Sequence, residues 1–302
     1  MGDLKTLITR RKRFDAGFRA AGLVATLVGV LILLALLVDL AADGLARVSW
    51  QFLTSYPSRF AAEAGILSAW VGTSLVMLIT ALAAVPLGVA AGVYLEEYAR
   101  KTWLTDLIEI NLANLAGVPS IVYGLMALGI FVYQLRLGQS ILTAGLTLAL
   151  LVLPIVIIAS REAIRAVPGS IREAAYALGA TKWQMVRDHL LPYSLGGIAT
   201  GVIIGLSRAI GETAPLVTIG ALAFIAFLPP APWQPAFPFV SFEWVKSPFT
   251  VMPIQMFNWI SRPQQEFHVN AAAAGLVLIA MTLVMNGLAV YLRYRFRRRV
   301  TW

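Results

Sequence analysis

The chain has 302 residues, 59% of them hydrophobic and 13% charged, with a mean hydropathy of +0.78. Soluble proteins average about 45–50% apolar and about 25% charged residues, so too little charge is present to coat a water-soluble globule of this size. The 24 Lys and Arg against 15 Asp and Glu leave a net charge of +9, and its placement decides whether it serves nucleic acid or membrane topology. With no cysteine, disulfides, thiolate metal sites and a Cys nucleophile are excluded. The two histidines, His189 and His268, stand far apart and make no His-rich metal site alone.

A bilayer core takes roughly 20 apolar residues as helix. Six segments qualify: 20–38, 64–95, 110–135, 137–160, 190–207 and 269–292. Only Arg136 and a short turn separate the third from the fourth, so these two are antiparallel neighbours. The stretch 213–242 is also uncharged, but it holds Pro215, Pro229, Pro230, Pro232, Pro235 and Pro238 and cannot be one helix. Its first half, to about Leu228, is expected to continue or re-enter the membrane, and the rest reads as an external loop reaching His268. The first span follows Arg10–Arg13 but outruns the roughly 7–15 apolar residues of a cleavable signal, so it reads as a retained anchor.

The basic residues fix the orientation. Segments 1–19, 96–109, 160–189 and 293–302 together hold 18 of the 24, and the opposite side holds Arg47, Arg59, Arg136, Lys246 and Arg262. Both termini are therefore expected in the cytoplasm, as an even number of spans requires. The Arg-rich tail reads as positive-inside anchoring rather than a nucleic-acid patch, and no nucleic-acid partner is expected. Arg208 belongs to neither side.

The cytoplasmic segment 160–191 has a structure of its own. Pro168-Gly169 is a break. Ser170 with Glu173 has the form of a capping box, which predicts a helix starting there. Ala174, Ala175, Ala177 and Leu178 favour helix. Gly179 then allows a tight turn, and Thr181 can cap a second short helix to about Asp188. Pro192 suits the first turn of span five. Taken locally, Glu173 could simply cap a surface helix. The spacing, however, resembles the EAA loop of ABC-importer permeases: Glu173-Ala174-Ala175, three residues, Gly179, nine residues, His189, one residue, then Leu191-Pro192. His189 stands where that family usually has Ile. The resemblance implies that Glu173, Ala174, Ala175, Gly179 and Ala180 belong to a coupling helix docking on an ATPase subunit, whose closure would tilt spans four and five.

Residues 207–215 read Ser-Arg-Ala-Ile-Gly-Glu-Thr-Ala-Pro. Arg208 and Glu212 are four apart and share a helix face. Ionisable groups at membrane depth are costly; they pair with one another or face a water-filled path. Two readings stand level on spacing alone. The pair locks span five against a neighbour, or Arg208 meets a passing anion with its donor fork and Glu212 neutralises it otherwise. The stretch resembles a signature of the A-type permease subunits of bacterial phosphate ABC importers, as does Ala116-Gly117-Val118-Pro119-Ser120-Ile121-Val122-Tyr123-Gly124. Pro119 breaks span three, either as a packing kink or to form a helix N-terminus at Ser120 facing the anion.

The resemblance covers most of residues 60–292. It implies an all-α integral membrane protein with six transmembrane helices and the type I ABC importer permease fold. Residues 1–60 would form a basic N-terminus, anchor and external loop, residues 61–292 the five-helix core, and 293–302 a basic tail. It further implies a substrate pathway with Arg208, Glu212, Ser207, Thr213 and Ser120. The partners would be a second, related permease in a heterodimer, two ATP-binding subunits, an external phosphate-binding protein and the lipid of a bacterial inner membrane.

None of the five lysines follows a glycine, so a Walker A loop is excluded and ATP with Mg would sit on the partner ATPase. No cofactor is expected on this chain. Three other readings compete: a permease for molybdate, sulfate or phosphonate; a membrane enzyme; and a passive channel. A channel would not need the coupling loop. An enzyme would need a second acidic set to match Glu96, Glu97, Asp106 and Glu109, which share one loop. Segment 96–112, with Trp103, Leu104, Leu107 and Ile108 on one side, reads as an interfacial amphipathic helix or a second ATPase contact. Trp50, Tyr56, Trp233, Trp244 and Trp259 read as an external aromatic belt.

Overall fold

The computed structural model describes residues 2–233, 239 and 241–297. Pro235, Pro238, Arg298 and Arg299 lie outside the described residues, as do the side chains of Lys5, Arg10, Arg13 and Arg297. Among the described residues the chain is helical, with no strand.

The first helix, α1 (Gly2–Gly44), is far longer than the apolar run that predicts it. Its apolar stretch faces outward, and only its last turns meet the bundle, where Gly44 lies against the backbone of Ala272 and Ala273. The short α2 (Trp50–Thr54) is capped by Ser49, whose Oγ accepts from the Phe52 amide. Helix α3 (Leu67–Val93) runs on through a π-helical turn, Tyr94–Tyr98. Span three is not one helix: α4 (Trp103–Leu115) and α5 (Ser120–Ala127) meet at 108°. Pro119 lacks an amide donor and disfavours helical backbone at Val118, so the break expected at Pro119 within 110–135 starts a new helix at Ser120.

Helix α6 (Ile141–Arg165) starts at Ser140, whose Oγ accepts from the Thr143 amide. The cytoplasmic-loop hairpin follows as α7 (Gly169–Ala177) and α8 (Lys182–Met185). A π-helical turn, Val186–Leu190, joins α8 directly to α9 (Leu191–Ala209), with Pro192 in its first turn. Helices α10 (Ala214–Thr218), α11 (Met252–Ile260) and α12 (Gln265–Arg297) complete the chain. Among the described residues five helices are long and apolar enough to cross a membrane, and the count is six if the bent α4–α5 pair is one span.

The bundle is held by small residues that let helices approach closely. Gly197, Gly201 and Gly205 line the face of α9 that meets Ala163, Ala159 and Val152 of α6. Nearer the start of α6, Thr80 of α3 bonds the Val76 carbonyl at 2.9 Å and crosses to the Gly145 carbonyl at 3.2 Å. A second core lies at the far end from the hairpin, built from Phe52, Ile66, Met252, Trp259, Ala271, Ala273 and Ala274. Trp259 is fully buried there with its ring 6.0 Å from Phe52, and Trp244 is buried in the main core. These two are packing residues rather than belt residues, while Trp50 and Trp233 are exposed. Arg47 holds this end together as well. Its guanidinium donates to Asn270 Oδ1 at 2.8 Å and to the carbonyls of Ala61, Ala62 and Ala64.

Candidate functional site

Helix α9 ends at Ala209, and four residues bring the chain into α10. Arg208 lies in the last turn of α9 and Glu212 in the break. The Arg208 Nε donates to Glu212 Oε1 at 3.2 Å, so the pair predicted from the spacing forms. Arg208 is not buried: its side chain is 41% exposed against 17% for Glu212. The guanidinium therefore keeps donors free for another acceptor while one nitrogen is held. Ser207 is turned the other way, its Oγ 2.7 Å from Asn286 Oδ1 of α12 and from the Ile203 carbonyl. It fastens α9 to α12 rather than joining Arg208. Thr213 stands at the N-cap of α10 without a side-chain cap bond.

The two sequence stretches that stand out, 116–124 and 207–215, come together here. Gly124 of α5 lies on Pro215 and Thr218 of α10, and a Cβ at position 124 would come within 2.6 Å of Pro215 Cα. Only glycine allows that approach. Tyr123 is buried, and its phenol donates at 2.8 Å to the Leu115 carbonyl, tying the end of α4 across the bend to α5. Ser120 begins α5, half-buried, with Pro119 at the N-cap. The bend thus yields a helix start one turn before the Gly124 contact with α10.

The hairpin α7–α8 differs from expectation at its start. Pro168 occupies the N-cap and Ser170 already has helical backbone, so the Ser170–Glu173 capping box does not form. Pro168, at φ −54° and ψ 133°, sets the extended entry that the serine would otherwise supply. The second cap is as predicted: Thr181 and Gln184 form a reciprocal box. Gly179 has φ +81°, the left-handed region that ends α7. The Ala180 amide returns to the Ala175 carbonyl at 3.1 Å. Ala175 is buried against Val93, Ile164, Met185 and Leu190, whereas Glu173, Ala174 and Gly179 face outward. Tyr176, Leu178 and Trp183 are exposed too, and Leu178 reaches 89%. His189 is exposed, in keeping with a surface position.

Charge placement assigns Arg161, Arg165 and Arg172 to topology alone, yet they form a cluster that sequence reasoning missed. Arg161 bridges Glu96 at 3.0 Å and also pairs with Glu109, and Arg165 meets Glu96 at 3.0 Å. Arg172 of α7 donates to Glu97 at 2.8 Å and to the Val167 and Ile164 carbonyls at 2.7 and 3.1 Å. Its one guanidinium therefore joins the end of α3, the end of α6 and the hairpin. The available signal was the pattern of two acids just past one span and two arginines four apart at the end of another. Helix α4 buries no residue and presents Trp103, Leu104, Leu107 and Ile108 outward, as an interfacial helix would.

A model of the family described as "Binding-protein-dependent transport system inner membrane component" matches residues 84–301. The chain is similar to the "Probable ABC transporter permease protein YqgI" of Bacillus subtilis, at 31% identity over 93% of this chain and 95% of that protein. It is 34% identical to the "Phosphate transport system permease protein PstA" of Yersinia pestis, over 82% of this chain and 78% of that one. The PstA protein of Xylella fastidiosa is 29% identical over 93% and 92% of the two chains. Among solved structures, an inward-facing MetNI methionine ABC transporter superposes with a TM-score of 0.52 at 16% identity, covering 77% of this chain and 92% of that one, a likeness of fold. The all-helical, multi-span fold is therefore that of the ABC-importer permeases, and the chain belongs to the family of binding-protein-dependent transport system inner membrane components.

Proposed function

We propose that this chain is the A-type permease subunit of an ATP-driven phosphate importer and forms part of its path by alternating access. The observation that carries this reading is the half-exposed Arg208 at the α9–α10 break, held at one nitrogen by Glu212 and facing outward from its own chain. A planar fork of donors suits a tetrahedral oxyanion, and a neighbouring carboxylate neutralises it between passages. Thr213 and the start of α5 at Ser120 supply further donors to the same path, and Ser207 holds α9 in place. The relatives named as phosphate permeases support the choice of anion.

The path would be completed by a second, related permease facing Arg208. Two ATP-binding subunits carrying ATP and Mg would dock on the α7–α8 hairpin through Glu173, Ala174, Gly179 and the exposed Tyr176 and Leu178, with Ala175 and Ala180 shaping the turn. An external binding protein would deliver phosphate. The hairpin and both termini would lie in the cytoplasm of a bacterial cell, with the chain in the inner membrane.

The test is uptake of labelled phosphate by cells that depend on this chain, with molybdate, sulfate or a phosphonate as competitor. The expected result is uptake that requires the chain and is displaced by unlabelled phosphate alone. Displacement by another oxyanion at lower concentration would assign the path to that anion.

A further inference from the structure

An apolar groove of about 630 Å3 runs along the hairpin end of α3. Val89 and Ala90 line it with Pro86, and Tyr94, Tyr98 and Trp183 stand at one end. Pro86 and Ala90 are four apart on one helix face and leave little bulk there. The aromatic residues have apolar bodies and polar tips, the side chains that gather at the headgroup level of a bilayer. Lys182 closes the same end, its Nζ 4.9 Å from the centre of the Tyr98 ring.

The nearby acids are already matched to other cations. Glu96 pairs with Arg161 and Arg165, Glu97 with Arg172, and Asp188 with Arg187. Lys182 has no acidic partner among the described residues. The mouth of the groove is thus positive while its walls are apolar, which complements one amphipathic molecule: an acyl chain ending in a phosphate.

The groove also opens away from Arg208. Leu191 of α9 lines it, and Leu191 and Arg208 lie about 100° apart around the α9 axis at 3.6 residues per turn. Of the glycines that seat α9 on α6, Gly201 and Gly205 lie between those two directions. Leu191 and Arg208 also stand at opposite ends of α9, about 25 Å apart at 1.5 Å per residue, so a molecule in the groove would sit well away from the Arg208 break.

We propose that this groove binds one acyl chain of an anionic phospholipid of the leaflet on the hairpin side, with Lys182 meeting its phosphate. A bound lipid would fill the space between the π-helical end of α3 and α8. It would brace the hairpin against α3 at a second place besides the Arg172 clamp. The proposal depends on the membrane placement of the fold and not on which anion the chain carries.

The test uses the full chain in the assembly it purifies in, placed in micelles doped with phosphatidylglycerol or phosphatidylcholine bearing the same brominated acyl chains. The readout is the quenching that depends on Trp183, taken as the difference between the native chain and Trp183→Phe. The expected result is saturable quenching with a roughly fivefold preference for phosphatidylglycerol, the effect of one lysine near a membrane surface. Lys182→Gln should abolish the preference and keep the quenching. Ala90→Phe, at an exposed position that fills the groove, should weaken quenching by both lipids. Equal quenching by the two lipids in the native chain would overturn the proposal. So would no Trp183-dependent quenching by either, which would mean that a protein segment covers the groove.

Discussion

Arg172 and Gly124 carry more of the structure than their surroundings suggest. Arg172 meets Glu97, which is 9% exposed, and also two carbonyls at the end of α6. Truncating one member of such a pair strands the other charge, at a cost of about 3 kcal/mol. Arg172→Ala should therefore lower thermal stability in detergent clearly, and Arg172→Lys should recover only part, since an ammonium cannot reach all three acceptors at once. Equal stability of Arg172→Ala and the native chain would contradict the clamp. Gly124 has no room for a side chain against Pro215 and Thr218. Gly124→Val should destabilise the α5–α10 junction by about 1–3 kcal/mol, measurable as a shifted melting temperature. Neither residue announces this in sequence. Arg172 and Glu97 are 75 positions apart and look like ordinary loop charges, and Gly124 is one glycine among 24.

At the scale of elements, the hairpin α7–α8 divides into a packed side and an outward side. Ala175, Met185 and Leu190 hold it to α3 and α6, leaving Glu173, Tyr176 and Leu178 free to meet a partner. A partner surface predicts that Leu178→Ser leaves stability within about 0.5 kcal/mol, as for an exposed site, yet sharply reduces ATP hydrolysis stimulated by transport. Unchanged coupling in that variant would remove Leu178 from the docking surface. Gly179 and Thr181 were legible because each sits at a position that only a few residue types satisfy. The failed capping box at Ser170 shows the limit of that logic: the three-residue spacing was right, but Pro168 had already set the entry to the helix. The bend at Pro119 was legible as a break. Its angle was not, because it depends on Tyr123 reaching back to Leu115.

For the molecule as a whole, the apolar excess becomes five long helices and one broken pair, and the spans were readable because each is a run of about 20 uncharged residues. Their sidedness is a prediction from charge placement, and the absence of cysteine makes it easy to test. Gln184→Cys, exposed in the hairpin, should react with an impermeant maleimide only after cells are opened, and Glu63→Cys, exposed at the other end, should react in intact cells. The reverse pattern would invert the topology. Less legible was the setting of Arg208, which is 41% exposed on this chain's own surface. Its neighbours in sequence could not reveal that face, which follows from how α5, α9 and α10 pack.

The most direct test of the anion path is phosphate uptake by the assembled transporter carrying Arg208→Gln. Hydrogen bonds to a charged group are worth about 1.5–3 kcal/mol, so uptake should fall roughly ten- to a hundredfold while the subunits still purify together. Uptake at the native rate by an intact Arg208→Gln assembly would reduce Arg208 to a structural partner of Glu212 and contradict the assignment of the path.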